Sequence, residues 1–235
     1  MQDLSAIDLT TTTFVDLTQP LFSGMPGSKV HGRAEVWTEH PFPAGYPDGC
    51  HIAVTHIKLA VHLGTHVDAP RHFIPDGKTV DEFDLERFVR PAVTIHLPRQ
   101  GSVPVTADEL APHMDEVQPG DFVFLYFGYA ERFLDEDFHE HPYLTLDAAQ
   151  YLLQRGVSGL GVDTVTPDMP AQHRPPDFDF PVHKTLLGVD VLIFENLGPG
   201  LAQIAGTRRL VVAAPLPLAG DGALVTPFAV VPAPA

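Results

Sequence analysis

The chain alternates short apolar runs with stretches punctuated by proline and glycine. Phe14-Val-Asp-Leu-Thr18 predicts a first strand that stops before Pro20. Residues 51–62 alternate with the period of a strand. Thr55, Ile57, Leu59 and Val61 take one side; Val54, His56, Lys58, Ala60 and His62 take the other, so the strand delivers His62 at its end. Ala92–Leu97 repeats the pattern, with Val93, Ile95 and Leu97 on one face. His96 falls opposite with Thr94 and reads as a structural or surface histidine. Asp121–Tyr126 hardly alternates, as expected of a strand buried on both faces. Val157–Val162 and Val189–Phe194 are further strands, and β-rich segments at Arg209–Leu216 and Leu224–Val231 close the chain.

Helical signals are fewer. Leu85–Phe88 reads as one turn. Thr106-Ala-Asp-Glu109 is a capping box, predicting a helix that ends before Pro119-Gly120. Thr145 caps a clearer helix, with Leu146, Ala149, Leu152 and Leu153 on its apolar face and Gly156 at its end. Val182–Leu187 is a short helix stopped by Gly188. The succession strand, helix, strand over 121–162 is a βαβ unit, which implies parallel neighbours. The fold class is α/β. With no repeat and no linker, residues 1–235 read as one domain.

Composition fills in the spaces between elements. The 24 prolines and 19 glycines are spread along the chain, so they mark loops and turns rather than disorder. Residues 1–13 are a polar lead-in. Residues 19–50 form a long loop whose Phe22, Met25, Trp37 and Phe42 either wall a pocket or pin the loop to the core. Residues 129–144 hold Glu131, Asp135, Glu136, Asp137, His139, Glu140 and His141, read as a solvated acidic loop rather than a metal site. Residues 165–181 are a proline-rich loop with Met169, His173, Phe178 and Phe180.

Charge and cysteine content exclude several classes. A net charge of −16 argues against nucleic acid, which attracts Lys and Arg. Cys50 is the only cysteine, so neither an intrachain disulfide nor a cysteine-rich zinc site forms, and a cytoplasmic location fits. Met-Gln-Asp-Leu-Ser lacks the basic start and apolar run of a signal peptide. The most apolar segment, Leu210–Leu218, is too short to span a membrane and holds two prolines.

The chemistry concentrates in His62-Leu-Gly-Thr-His66-Val-Asp68-Ala-Pro70-Arg-His72. Imidazoles and a carboxylate are ligands for a borderline metal ion. Fully extended, His62 and His66 would stand about 13 Å apart at roughly 3.3 Å per residue. Sharing one ion requires a turn between them, and Gly64 supplies the backbone freedom for it. His66 and Asp68, two residues apart, point the same way in extended chain. Pro70 stiffens the following segment and sets His72 apart, near the metal but not necessarily on it. His72 also suits proton transfer near neutral pH. Nitrogen and oxygen ligands without thiolate suit zinc or manganese.

This run matches the His-x-Gly-Thr-His-x-Asp-x-Pro-x-His signature at every fixed position. The chain therefore resembles the cyclase-like metal-dependent hydrolases, a family that includes bacterial kynurenine formamidase and isatin hydrolase. Asp163-Thr164, Pro181-Val-His183 with Leu186-Leu187, and Glu195-Asn196-Leu197 are similar to the family's downstream pattern, so the resemblance spans roughly residues 14–231. It implies a mixed swivelling β/β/α domain and a homo-oligomer, dimer or tetramer. It also implies that Asp68 bridges to a second metal held by His183 and Glu195, giving one or two Zn2+ or Mn2+ per chain. Two departures stand out: the long proline-rich loop at 165–181, and Ala219-Gly-Asp-Gly-Ala in place of a Gly-Gly-Ser-Gly run.

The resulting expectation is hydrolysis of a small-molecule substrate. Water attacks the carbonyl of an aryl formamide or small cyclic amide, and His72 protonates the departing amine. The alternatives are an isatin-like lactam or lactone hydrolase and a non-catalytic metal-binding protein. A cupin-type oxygenase fits less well, since cupins usually place two histidines one residue apart, whereas His62 and His66 are four apart.

Overall fold

The computed structural model describes residues 10–27, 30–40 and 51–233. Most of the lead-in, Phe42 of the expected pocket wall, and Cys50 lie outside these described residues.

Strands β1 (Thr12–Asp16), β4 (His66–Asp68), β5 (Val89–His96), β7 (Phe122–Tyr126), β9 (Gly159–Val162), β10 (Leu192–Glu195), β11 (Thr207–Val212), β12 (Gly222–Leu224) and β13 (Phe228–Pro232) form one mixed sheet. Their order is β1-β13-β11-β5-β7-β9-β10-β4-β12. The central strands β5, β7, β9 and β10 run parallel, and the flanking pairs are antiparallel. Helix α2 (Leu146–Gln154) connects β7 to β9, completing the expected βαβ unit. The lack of alternation in β7 has its expected cause: Phe122, Val123, Phe124 and Leu125 are all buried at the middle of the sheet.

Successive strand residues enter opposite cores. Val93, Ile95, Val123, Leu125, Leu160, Val162 and Ile193 pack with Ala149 and Leu152 of α2 and with Leu186 of α3 (Pro181–Leu187). Ala92, Phe122, Phe124, Leu192 and Phe194 pack on the other side with Val67, Val211 and Ala229 and with Leu201 of α4 (Leu201–Ile204). Burial on both faces fixes the register, because a one-residue slip would reverse every side chain.

Several elements differ from expectation. The segment 19–50 is not all loop: β2 (Glu35–Glu39) pairs antiparallel with β3 (Val54–Lys58) as a separate ribbon. Cross-strand contacts hold it, including Trp37 stacked on His56 and Lys58 paired with Glu35. Met25 is buried in the core, and Phe22 is partly buried against it. β3 ends at Lys58, so His62 lies in the following turn rather than at a strand end. The capping box at Thr106 and Glu109 forms, but α1 (Ala107–Leu110) yields to a 3-10 turn containing Pro112, which cannot donate within a helix. The short strands β6 (Pro104–Val105) and β8 (Tyr143–Leu144) pair apart from the main sheet. The last β-rich segment divides into β12 and β13, separated by Val225-Thr-Pro227. His96 is at the surface, stacked on Tyr126. Within 129–144 the acidic residues Glu131 and Asp135 to Asp137 are exposed as expected, whereas His141 is fully buried.

Candidate metal and catalytic site

Sheet register builds the centre of the site. His66 of β4 lies directly opposite Glu195, the last residue of β10, and Asp68 lies opposite Ile193. His66 and Asp68 share one side of β4 while Val67 enters the core between them. His66 Nε2 is 3.2 Å from Asp68 Oδ1 and 3.3 Å from Glu195 Oε2. Helix α3 supplies His183, whose Nε2 is 3.4 Å from Asp68 Oδ2 and 3.2 Å from Glu195 Oε1. His62 completes the group, with Nδ1 2.8 Å from Asp68 Oδ1. The five sequence-predicted ligands therefore form one group, the three imidazoles converging on the carboxylates of Asp68 and Glu195.

The turn that brings His62 and His66 together uses Gly64 at φ +70°, a conformation costly for other residues. A side chain there would also meet Met25, whose Cε lies 2.9 Å from the position of a Cβ. The Gly64 carbonyl accepts hydrogen bonds from His66 Nδ1 at 2.8 Å and Asn196 Nδ2 at 3.1 Å. Thr65 Oγ1 accepts from the Gln19 backbone and donates to the Asn196 carbonyl. The Gly-Thr of the motif thus ties this turn to the chain just beyond Glu195.

Each of the three histidines has one ring nitrogen committed elsewhere. His66 Nδ1 donates to Gly64, His183 Nδ1 donates to Asp168 Oδ2 at 2.6 Å, and His62 Nε2 donates to Asp221 Oδ2 at 2.9 Å. The remaining nitrogen of each faces the central carboxylates. Metal-ligating histidines are characteristically oriented by such outer partners. His66 Nε2, Asp68 Oδ2 and Glu195 Oε1 are buried and lack a hydrogen-bond partner of their own. Buried polar atoms without partners are costly, and a cation shared among these would satisfy them. The donor set fits a metal.

Two ligand groups meet at Asp68. Donor atoms of His62, His66 and Asp68 lie within 4.8 Å of one another, as do those of Asp68, His72 and His183. His72 therefore lies beside the ligand set, with a donor atom close to those of Asp68 and His183. Its ring stacks on His62 with centroids 3.9 Å apart, and its Nδ1 donates to Asp221 Oδ2 at 3.1 Å.

The electrostatics of the metal-free chain follow from this crowding. Burial opposes charge on His66, but the Asp68 and Glu195 carboxylates outweigh it and raise the imidazole to about 10. Burial likewise opposes charge on His183, and Asp168, Asp68 and Glu195 hold it well above the ordinary range. Asp68 is held well below the carboxylate range despite its burial, chiefly by His66. Glu195 is lowered too: burial and Asp68 oppose ionisation, while His183 and His66 prevail. His72 is lowered, first by burial.

Three contributors were missed in the sequence. Asp168 is fully buried and accepts from the Val182 and His183 backbone as well as the His183 ring. Asp221, in the segment that departs from the Gly-Gly-Ser-Gly run, connects His62 and His72. His31 places its ring 5.4 Å from that of His62. Asp163, part of the downstream pattern and the residue just beyond β9, is not within the metal group. It accepts hydrogen bonds from the backbone of residues 127–130, and burial raises its carboxyl to about 6.

Known proteins resemble this chain over nearly its whole length. Kynurenine formamidase of Bacillus cereus is 27% identical over 219 residues, covering 92% of this chain and 96% of that protein. Isatin hydrolase A from Labrenzia aggregata, solved with benzyl benzoate, superposes with a TM-score of 0.82 at 25% identity, covering 97% of this chain and 96% of that one. A structure described as a potential metal-dependent hydrolase with cyclase activity gives a TM-score of 0.73 at 28% identity, covering 95% of this chain and all of the other. The family model Cyclase, described as "Putative cyclase", matches residues 15–169, from β1 through the opening motif to Asp168's neighbour Met169. The α/β fold with its curled mixed sheet, the motif and the match together place this chain in the cyclase family.

Proposed function

We propose that this chain is a metal-dependent hydrolase that cleaves the C–N bond of an aryl formamide or a small cyclic amide. The observation that carries the reading is the convergence of His62, His66 and His183 on Asp68, two of them shared with Glu195, with unpartnered buried atoms on His66, Asp68 and Glu195. The similarity to kynurenine formamidase favours a formamide, and that to isatin hydrolase makes a lactam the second reading.

In this reading His62, His66 and Asp68 would hold a first metal, and Asp68, His183 and Glu195 a second. Zinc or manganese fits the nitrogen and oxygen donors, at one or two ions per chain. Such ions supply Lewis acidity, polarising a carbonyl and easing deprotonation of water. Asp168, Asp221 and the Gly64 carbonyl keep the ligand imidazoles in one tautomer and orientation. His72 serves the leaving group. Water adds to the carbonyl carbon as His72 Nε2 takes the proton it loses; the C–N bond then breaks, and that proton passes from the imidazole to the amine, which departs neutral rather than as an amide anion. Asp221 holds the His72 ring through Nδ1, which leaves Nε2 as the nitrogen that exchanges this proton.

The same reading includes a homo-oligomer, dimer or tetramer. It is supported by exposed apolar groups on the β2–β3 ribbon and its approach: Trp37, Ile52, Val54 and Ile57. A cytoplasmic location is supported by the single cysteine. Among the described residues no helix is long and apolar enough to cross a membrane.

The test is turnover of metal-loaded protein on N-formylkynurenine, isatin and a lactone panel. The proposal expects the formamide to have the highest kcat/KM. Faster turnover of isatin or a lactone would replace it with the second reading.

A further inference from the structure

The proline-rich segment 165–181 ends in an aromatic platform that runs outward from the reacting centre. Phe73 lies 4.7 Å from the His72 ring and 4.5 Å from the His183 ring, centroid to centroid. Phe180 lies 5.0 Å from Phe73, and Phe178 lies 5.2 Å from Phe180. Phe180 is held at φ +48°, a left-handed conformation unfavourable for a bulky side chain, immediately before α3. Strain of this kind concentrates where a side chain must be aimed.

Arg174 caps the platform. Its guanidinium sits 4.6 Å from the Phe180 ring centre and 5.3 Å from that of Phe178. Nε donates to the Met169 carbonyl at 2.6 Å, which fixes the fork. The two terminal amino groups make no hydrogen bond among the described residues. Arg174 is not spent neutralising the nearest site carboxylates. Asp168 is satisfied by α3 and His183, Glu195 is engaged by His66 and His183, and neither lies within ion-pair distance of Arg174. His141 adds a second unspent group. It is fully buried, its Nδ1 donates to the Pro142 carbonyl at 2.9 Å, and its Nε2 has no partner.

A partly buried guanidinium with free donors, stacked on aromatic rings beside a reacting centre, suits one ligand chemistry. A flat aromatic ring can lie along Phe73 and Phe180 while a carboxylate on that ring takes the two free donors of the fork. We propose that Arg174 determines substrate specificity by binding a carboxylate carried on an aryl amide substrate. This rests on the amide-hydrolase reading and adds the substrate's charge to it.

The test compares kcat/KM for 2-formamidobenzoate and for uncharged formanilide in the wild type, Arg174→Ala and Arg174→Lys. The readout is the ratio between the two substrates. The proposal expects Arg174→Ala to cut that ratio about 10–100-fold, the worth of a hydrogen-bonded charge, and mainly through KM. Arg174→Lys keeps the charge and stem but not the fork, so its ratio should fall between the other two. It also serves if the alanine variant folds poorly. Equal losses on both substrates would make Arg174 a structural residue and overturn the proposal. Calorimetric binding of 2-aminobenzoate separates this question from turnover. Binding that needs Arg174, in a protein that hydrolyses no formamide, leaves the anion subsite standing and overturns the reaction. Binding that is indifferent to Arg174 overturns the subsite whatever the reaction.

Discussion

His183 Nδ1 lies 2.6 Å from Asp168 Oδ2, and the same carboxylate accepts the backbone N–H of His183. One acid thus anchors both the start of α3 and the imidazole that α3 presents to Asp68 and Glu195. Asp168→Asn should keep the fold and weaken metal binding about 10–100-fold, the usual cost of removing an outer carboxylate partner. The measurement is a competition titration with a coloured chelator. Unchanged affinity would mean that the orientation of His183 does not govern the site.

His72 should separate from the ligands in its effect. His72→Asn is expected to retain metal while losing about 10²–10⁴-fold in turnover, the range for a positioned acid–base group. An activated aryl ester has a better leaving group and should suffer distinctly less. Metal content and turnover on both substrates check this. If His72→Asn sheds metal as readily as His66→Ala, its proximity to Asp68 and His183 reflects ligation instead.

The pH dependence of the metal-free protein follows from the shifted groups. His66, raised to about 10, and His183, also raised, bind their protons more tightly folded than unfolded. Their contribution is complete below the unfolded imidazole value of about 6.5 and is lost as pH rises through the folded values. Asp68 and Glu195 are shifted the other way, so their contribution is lost as pH falls below the ordinary carboxylate range. Denaturant midpoints of metal-free protein should therefore be lower at pH 9 than at pH 6. Added zinc needs the same imidazoles neutral, so its stabilisation should grow between pH 6 and 8. A metal-free midpoint that is equal or higher at pH 9 would contradict the assigned pairings.

Local spacing made His62, His66, Asp68 and His72 legible, because a turn at Gly64 and a two-residue alternation are properties of adjacent residues. The parallel core was legible for the same reason: β7, α2 and β9 follow one another in the chain. Asp168 and Asp221 were not, since neither belongs to a local pattern and Asp221 reaches His62 across 159 residues. β2 and its pairing with β3 escaped because the mostly exposed residues of β2 leave no apolar alternation to read. Alternation through Leu59 and Val61 overextended β3, where the backbone turns at Ala60–Leu63. His183 and Glu195 were picked out by resemblance. The structure adds the physical reason they meet, which is the register of β10 against β4 and the placement of α3.

The central claim is that Asp68 is the carboxylate on which the whole site depends. Elemental analysis of gently purified wild type, Asp68→Asn and His183→Ala tests it most directly. Wild type should carry roughly one to two zinc or manganese ions per chain, the range for mononuclear and paired sites. Asp68→Asn should lose more metal than His183→Ala, because it removes a ligand from both groups that meet there. Equal loss from the two variants would contradict the shared role of Asp68, and metal-free wild type that turns over substrate fully would contradict the account as a whole.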